Sequence, residues 1–189
     1  MSERPLTVAV TGLNATDNPG PGVAVIRALR DADPAIRVIG LAYDALDPGI
    51  YATDLVRDIF MLPYPSQGLT AFWSRLEYVH HKVGIDVIIP TLDAELPAFL
   101  DLEPKLRELG IRMLLPTREQ FTLREKGRLA QLGTKSGISV PATAVVNSID
   151  ELSRVHHRVP YPMYVKGLYY GATLALNLDD ASHAFYKIV

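Results

Sequence analysis

The first 116 residues alternate short apolar runs with helical patterns, and this alternation restricts the fold more than any other feature of the sequence. The apolar runs are residues 6–10, 37–42, 58–62, 86–89 and 112–115. Helical patterns lie between them at residues 22–32, 69–83 and 94–109, and Pro104 is expected to bend or split the last of these helices. Apolar strands separated by helices indicate β-α-β units around a parallel sheet that is buried on both faces. We therefore predict an α/β fold for residues 1–116, a Rossmann-like doubly wound parallel sheet.

The predicted helix at 69–83 has one apolar face. At 100° per residue one stripe collects Leu69, Phe72, Trp73, Leu76, Val79 and Val83. Tyr78 and Lys82, with Ser66 upstream, match the YxxxK pair of short-chain dehydrogenases, but they point away from this stripe. We expect the pair to face solvent, which disfavours a nucleotide-dependent oxidoreductase or epimerase.

After residue 115 the pattern changes. Thr117-x-x-Gln120 and Thr122-x-x-Glu125 are two consecutive capping boxes, and they predict a short helix followed at once by a longer one. Gly137 ends that second helix, and Ser148 caps another. Because helices and strands no longer alternate as before, we place a domain boundary near residue 117, with one domain at 1–116 and a second at 117–189.

A lysine closes the strand within residues 161–166, and two glycines bracket the turn that follows. The sequence is Tyr-Pro-Met-Tyr-Val-Lys166, then Gly167 to Gly171, then a second predicted strand at 172–177. In such a hairpin the ammonium is a fixed charge beside backbone N–H groups that can face an anion. The segment therefore predicts a site for nucleotide phosphates, although lysines also end strands for purely structural reasons.

Lys126 is the second candidate cation. On the helix predicted after Thr122, Leu123, Leu129 and Ala130 define an apolar face, and Lys126 projects into its middle. Burying an unpaired ammonium is costly. Two interpretations stay open: the side chain reaches solvent from an edge, or it faces a cleft and meets an anionic ligand.

Glycines follow the first predicted strand, where a dinucleotide enzyme has its phosphate-binding turn. The fingerprint fails, because Val25 stands where a third glycine or alanine is needed and the loop from Gly12 is too long. The loop, with Gly12 and Asn14, is still expected to help form a ligand crevice.

Thr91, Asp93 and Glu95 follow the strand at 86–89. Open parallel sheets bind ligands at the carboxyl ends of their strands, so these three residues are candidate substrate contacts. The alternative is that Asp93 only caps the next helix.

Composition excludes several classes of protein. With 48% hydrophobic and 21% charged residues, a net charge of −2 and no run of Lys or Arg, the chain predicts a globular protein that binds no nucleic acid. The absence of cysteine excludes disulfides and thiolate metal sites. With no apolar stretch long enough to cross a bilayer and no secretory signal pattern, we expect a cytoplasmic protein without membrane contact. The apolar residues 185–189 suggest the front part of a longer protein and favour homo-oligomers.

Several of these features together resemble the front of an ATP-grasp enzyme, especially the carbamoyl-phosphate synthase large-chain and PylC-like carboxylate–amine ligase branch. The resemblance rests on order and spacing over nearly the whole chain. Its parts are the Rossmann-like domain, Ile88-Ile-Pro-Thr91, Leu115-Pro-Thr117, the helix with Lys126, Gly137-Ile-Ser-Val-Pro141, the cap at Ser148, and Tyr161-Pro-Met-Tyr-Val-Lys166.

The resemblance implies that residues 1–116 are a pre-ATP-grasp domain and residues 117–189 the first, incomplete part of an ATP-grasp domain. It implies ATP as cofactor, with Lys126 and Lys166 on its phosphates and Gly167, Gly171 and Ala172 in the phosphate loop. The reaction would activate a small-molecule carboxylate as an acyl phosphate for attack by an amine or similar nucleophile. The Mg²⁺ ligands would lie beyond residue 189, so this chain alone is expected to be inactive.

One departure from the family pattern keeps a second hypothesis open. The loop carries Leu168-Tyr169-Tyr170, where relatives usually have glycines and serine. Large side chains leave less room for backbone amides to approach phosphate. The alternative is a non-catalytic binding or assembly module of the same fold.

Overall fold

The computed structural model describes residues 4–15, 19–169 and 171–189. The chain forms two compact units, Met1–Leu115 and Pro116–Val189. Within the described residues, every helix is too short or too polar to cross a membrane.

The first unit is built on a four-stranded parallel sheet. Its strands are β1 (Thr7–Val10), β2 (Arg37–Ala42), β3 (Asp58–Met61) and β4 (Val87–Ile89). Their order is β3-β2-β1-β4, and in the register of the sheet Val8 lies opposite Val38 on one side and Val87 on the other. The order changes direction at β1, as in doubly wound sheets. The predicted α/β class is confirmed.

The prediction of a fifth strand at 112–115 is wrong. The segment makes only an isolated parallel bridge, in which Arg112 pairs with Val87. Leu114 is 97% exposed, so the run is not buried on both faces as its composition suggests. One bridge brings the chain alongside β4, and the pairing then stops.

Three helices surround the sheet. They are α1 (Gly22–Ala32), α2 (Leu69–Val83) and α3 (Leu96–Glu108), and short 3₁₀ turns occur at Pro48–Tyr51 and Pro65–Gln67. Pro104 lies inside α3 but does not split it. The helix continues because Phe99, Leu102 and Leu106, all buried, hold it against the sheet on both sides of the proline.

Alternate residues of each strand serve two separate cores. Val8 and Val10 pack in the core that contains Ile26 of α1. Ala9 points the other way, into the core formed with α2 and α3, where Phe72 and Phe99 are fully buried and meet edge to face. Burial of each such side chain contributes about 1.5–3 kcal/mol. Helices therefore cover both faces of the sheet, as the alternation predicts.

The second unit consists of short helices and a β-hairpin. Its helices are α4 (Arg118–Leu123), α5 (Leu129–Ser136), α6 (Ile149–Val155) and α7 (Leu178–Tyr186), with a 3₁₀ turn at Lys126–Arg128. β5 (Met163–Lys166) and β6 (Ala172–Ala175) pair antiparallel, with Lys166 opposite Ala172. Met163, Val165 and Ala175 form a core with α6 and α7.

Two of the three predicted helix caps are present. Thr117 forms a complete capping box with Gln120, and the Ser148 hydroxyl accepts a hydrogen bond from the Glu151 backbone N–H at 3.2 Å. The predicted cap at Thr122 is wrong. Thr122 lies inside α4, and its helical backbone cannot take the extended conformation that an N-cap residue needs.

Candidate functional site

Glu95 organises the carboxyl edge of the sheet in the first unit. It is 1% exposed. Its Oε1 accepts hydrogen bonds from Thr11 Oγ1 at 2.5 Å and from the backbone N–H groups of Thr91 at 2.7 Å and Leu92 at 2.9 Å. Its Oε2 accepts a hydrogen bond from the Tyr43 hydroxyl. One carboxylate thus joins the ends of β1, β2 and β4.

The environment of Glu95 assigns it a positioning role. Burial raises the pKa of its carboxyl, and the hydrogen bonds from Thr11, Tyr43, Leu92 and Thr91 partly offset this increase. Both oxygens face the interior, in contrast to the crevice-lining position that the sequence predicts. Glu95 therefore acts on this edge by fixing the Thr91 loop.

Gly12 and Thr91 lie against each other at the ends of β1 and β4. The Thr91 hydroxyl donates to the Thr11 carbonyl at 3.0 Å. A Cβ on Gly12 would lie 2.0 Å from Thr91 Oγ1, and the φ of Gly12 is +69°. Glycine is needed here because Thr91 fills the space that a side chain would take. The structure thus brings together two of the predicted substrate residues.

The loop after β1 closes on itself. Gly22 N–H donates to the Gly12 carbonyl at 3.0 Å, and Gly20 N–H donates to the Asn14 carbonyl at 2.9 Å. A Cβ on Gly22 would lie 2.0 Å from the Thr11 oxygen. These glycines serve backbone closure, which agrees with the failure of the dinucleotide fingerprint. Part of this predicted crevice loop, residues 16–18, lies outside the described residues.

The polar groups of Asn14 and Asp93 differ in environment. In the part of the chain that the structure describes, Asn14 Oδ1 is buried without a hydrogen-bond partner. Asp93 is exposed in the turn before α3, where Glu95 and not Asp93 occupies the cap position. The Glu95 side chain itself makes no capping hydrogen bond to this helix.

Two tyrosines extend this edge, and sequence reasoning missed them. The rings of Tyr43 and Tyr64 stack with centroids 5.5 Å apart, and Tyr64 is 45% exposed. Burial, followed by the charges of Asp44 and Asp47, raises the pKa of the Tyr64 hydroxyl. A signal for Tyr43 was available, because it directly follows the predicted strand at 37–42, as Thr11 follows the strand at 6–10.

In the second unit the Lys126 ammonium contacts the turn of the hairpin. Nζ donates to the Gly167 carbonyl at 2.9 Å and to the Tyr169 carbonyl at 3.3 Å. Lys126 begins a 3₁₀ turn and is exposed, so its predicted position in the middle of an apolar helix face is wrong. The reason is the absent cap at Thr122, which leaves no continuous helix to carry that face. Leu129 is itself 38% exposed.

Lys166 lies at the end of β5 on its outer face. Burial alternates along this strand, and both Tyr164 and Lys166 are exposed. The Lys166 Nζ lies 5.5 Å from the centroid of the Tyr164 ring. Gly167, which follows it, is buried. The Lys126 ammonium thus contacts the carbonyl of the residue next to Lys166, whereas the Lys166 ammonium itself lies over Tyr164.

The remaining turn residues have mixed positions. Gly171 has a φ of +76°, which leads the chain back into β6 at Ala172. Leu168 is 69% exposed and Tyr169 is 43% exposed. Tyr170, which the predicted phosphate loop includes, lies outside the described residues.

Two other features bear on alternative chemistries. Tyr78 is 52% exposed and Lys82 is also exposed, as expected for a chance YxxxK match. The residues described by the structure contain no group of three or more His, Asp or Glu side chains that could hold a metal ion.

Comparisons with known proteins identify the fold. Neither a protein-family model nor a curated protein matches the sequence. Solved structures do match. L-amino acid ligase from Bacillus licheniformis aligns with a TM-score of 0.63 and 15% identity, over 99% of this chain and 43% of that one. The biotin carboxylase domain of 2-oxoglutarate carboxylase from Hydrogenobacter thermophilus, a dimer in complex with MgADP, ADP and bicarbonate, aligns with a TM-score of 0.58 and 18% identity. This alignment covers 96% of this chain and 40% of that one.

A third solved structure also has a similar fold. N5-carboxyaminoimidazole synthase from Aspergillus clavatus, in complex with ADP and 5-aminoimidazole ribonucleotide, aligns with a TM-score of 0.56 and 17% identity. This alignment covers 98% of this chain and 44% of that one. The chain spans about two fifths of the length of the structures it matches. Its fold is therefore similar to that of the matched part of these ligase, carboxylase and synthase structures.

Proposed function

We propose that this chain is part of a cytoplasmic ATP-dependent ligase of the ATP-grasp type. The ligase would activate a small-molecule carboxylate as an acyl phosphate for attack by an amine or similar nucleophile. The observation that carries the proposal is the contact between the Lys126 ammonium and the Gly167 carbonyl, 2.9 Å apart, at the turn that directly follows Lys166. The similarity to solved ligases and carboxylases supports the class. The carbamoyl-phosphate synthase-like and PylC-like branch is the narrower form of the proposal.

The residues of the second unit would bind the polyphosphate of ATP. Two ammonium groups near one turn offer positive charge to an anion that carries several negative charges. The backbone of Gly167, Gly171 and Ala172 would approach the same phosphates. ATP supplies the phosphoryl group, and Mg²⁺ would accompany it on acidic ligands outside this chain. The chain's own contribution is therefore binding and charge neutralisation.

The first unit would bind a substrate at the carboxyl edge of its sheet. Gly12, Asn14, Thr91 and Asp93 lie in the loops that follow β1 and β4, where open parallel sheets take their ligands. The buried Glu95 would stabilise the conformation of these loops through its hydrogen bonds to Thr11 and to the Thr91 backbone. The domain limits 1–116 and 117–189, and the roles of pre-ATP-grasp domain and partial ATP-grasp domain, belong to the same proposal.

A non-catalytic binding module is the second candidate. It is favoured by one observation, since two of the three Lys126 N–H groups already donate to carbonyl oxygens of the chain itself. A module of this kind would bind a metabolite at the first unit and would not need ATP.

Titration calorimetry with ATP tests the proposal. We expect weak binding by the 189-residue chain, with a dissociation constant well above the micromolar range, and no release of ADP with a panel of amino acids. Lys166→Met should abolish the binding heat, because it removes a charge next to the phosphates. Lys135→Met, a change at an exposed lysine of α5, is the control. Sub-micromolar binding, ligase turnover, or equal heats for the two variants would each contradict the proposal.

A further inference from the structure

The two lysines at the hairpin turn make different kinds of contact. Lys126 reaches the turn from another element, 41 and 43 positions away in sequence, and donates to the carbonyls of Gly167 and Tyr169. Lys166 lies over the ring of Tyr164, two residues earlier in its own strand. Of these two contacts, the first alone links separate segments of the chain.

The geometry of an ammonium limits what Lys126 can do. A lysine has three N–H donors and no acceptor. Two of them are directed at carbonyls of the turn. The two carbonyls share a single charged donor, so their orientations are fixed together. Hydrogen bonds to charged groups are stronger than neutral ones. Lys126, which lies outside the hairpin, therefore stabilises the backbone conformation of residues 167–169.

We propose that Lys126 is a positioning residue that holds the backbone of residues 167–169 before any ligand binds. The inference concerns the ligand-free chain and stands without the proposed function.

Hydrogen–deuterium exchange of the ligand-free chain tests the positioning role. In Lys126→Met, amides of a peptide covering residues 166–170 should exchange at least about threefold faster than in the wild-type chain, because the turn loses its tie. Lys126→Arg, which keeps charge and donors, should restore most of the protection. Lys135→Met should leave the exchange of this peptide at the wild-type level. Lys166→Met, which alters the first residue of the peptide, should leave the exchange of the residue 168 and 169 amides at that level. Exchange in α7 of the same samples shows whether the second unit remains folded.

Two results would overturn the positioning role: wild-type exchange in Lys126→Met, or an equal increase in Lys166→Met. If α7 of Lys126→Met also exchanges faster, the Lys126→Arg variant decides the matter. In that case Arg must protect the turn, and failure to protect it counts against the proposal.

Discussion

The close contact between Gly12 and Thr91 allows a quantitative prediction of how one substitution changes the stability of the first unit. The substitution is Gly12→Ala. Its Cβ would lie 2.0 Å from Thr91 Oγ1, and the backbone would have to keep a φ of +69°. Two costs therefore add, one from the left-handed backbone and one from the collision.

The structure offers a control that separates the two costs. Gly110 has a φ of +80°, but no atom lies within 4 Å of the position that a Cβ on this residue would take. Gly110→Ala should cost only the backbone term, about 1–2 kcal/mol. The collision at Gly12 should add roughly 1–3 kcal/mol, the usual range for overpacking. Gly12→Ala is therefore expected to destabilise the first unit by about 2–5 kcal/mol.

Urea unfolding followed by tryptophan fluorescence measures this difference. The chain has a single tryptophan, Trp73, and it lies in α2 of the first unit. With a urea m-value of about 1–3 kcal/mol/M, a difference of ~2 kcal/mol moves the midpoint by roughly 1 M.

A second background keeps the test informative if Gly12→Ala does not fold. Thr91→Ala removes the colliding oxygen, so Gly12→Ala in that background should cost no more than Gly110→Ala. The next nearest atom, Thr91 Cβ, is 3.3 Å away and can adjust. The reasoning would be refuted if Gly12→Ala and Gly110→Ala were equally destabilising, or if Thr91→Ala gave no relief.

Two further predictions concern Glu95 and the helix caps. Since burial raises the folded-state pKa of Glu95, its contribution to stability is complete below the unfolded value of about 4.3 and is lost as the pH rises through the folded value. The unfolding free energy of the wild-type chain minus that of Glu95→Gln should therefore fall as the pH rises above the unfolded value of about 4.3. A constant difference in urea titrations would contradict the assignment. Thr117→Ala should destabilise the second unit by about 1 kcal/mol, because it removes a cap, whereas Thr122→Ala should change it by only a few tenths. Thermal melts followed by circular dichroism compare the two, and equal effects would mean that Thr122 also acts as a cap.

Periodicity predicted the first unit well because its elements are long and buried on defined faces. The pattern in residues 22–32 and 69–83 matches α1 and α2 at both ends. The bounds of β2 were predicted as well, since apolar residues stop where the strand leaves the core. The prediction of a strand at 112–115 was wrong because apolar composition does not distinguish a paired strand from a segment that makes a single bridge.

The second unit was harder to predict because short elements compete on nearly equal terms. The two capping boxes stand five residues apart, and nothing in the local sequence shows that only the one at Thr117 begins a helix. The position of Lys126 depends on that choice. That Lys126 and Lys166 bind phosphate jointly stays a prediction, and the carbonyl partners of Lys126 depend on turn geometry that the local sequence does not determine.

Contacts at the carboxyl edge of the sheet were predictable in location and not in detail. Thr91, Asp93 and Glu95 were placed at this edge because they follow a strand. That Glu95 turns inward depends on Thr11 and Tyr43, which lie 84 and 52 positions away in sequence.

The shared carboxylate of Glu95 also constrains how this protein can change over generations. An apolar residue at position 95 would remove the acceptor that the hydroxyls of Thr11 and Tyr43 share with the backbone N–H groups of Thr91 and Leu92, and each lost hydrogen bond is unfavourable. A single substitution of Glu95 is therefore harmful. Joint replacement of Glu95 by an apolar residue, Thr11 by valine and Tyr43 by phenylalanine removes the two hydroxyl donors together with their acceptor, so fewer polar groups stay without a hydrogen bond. Natural variants should keep these three positions unchanged or alter them as a set.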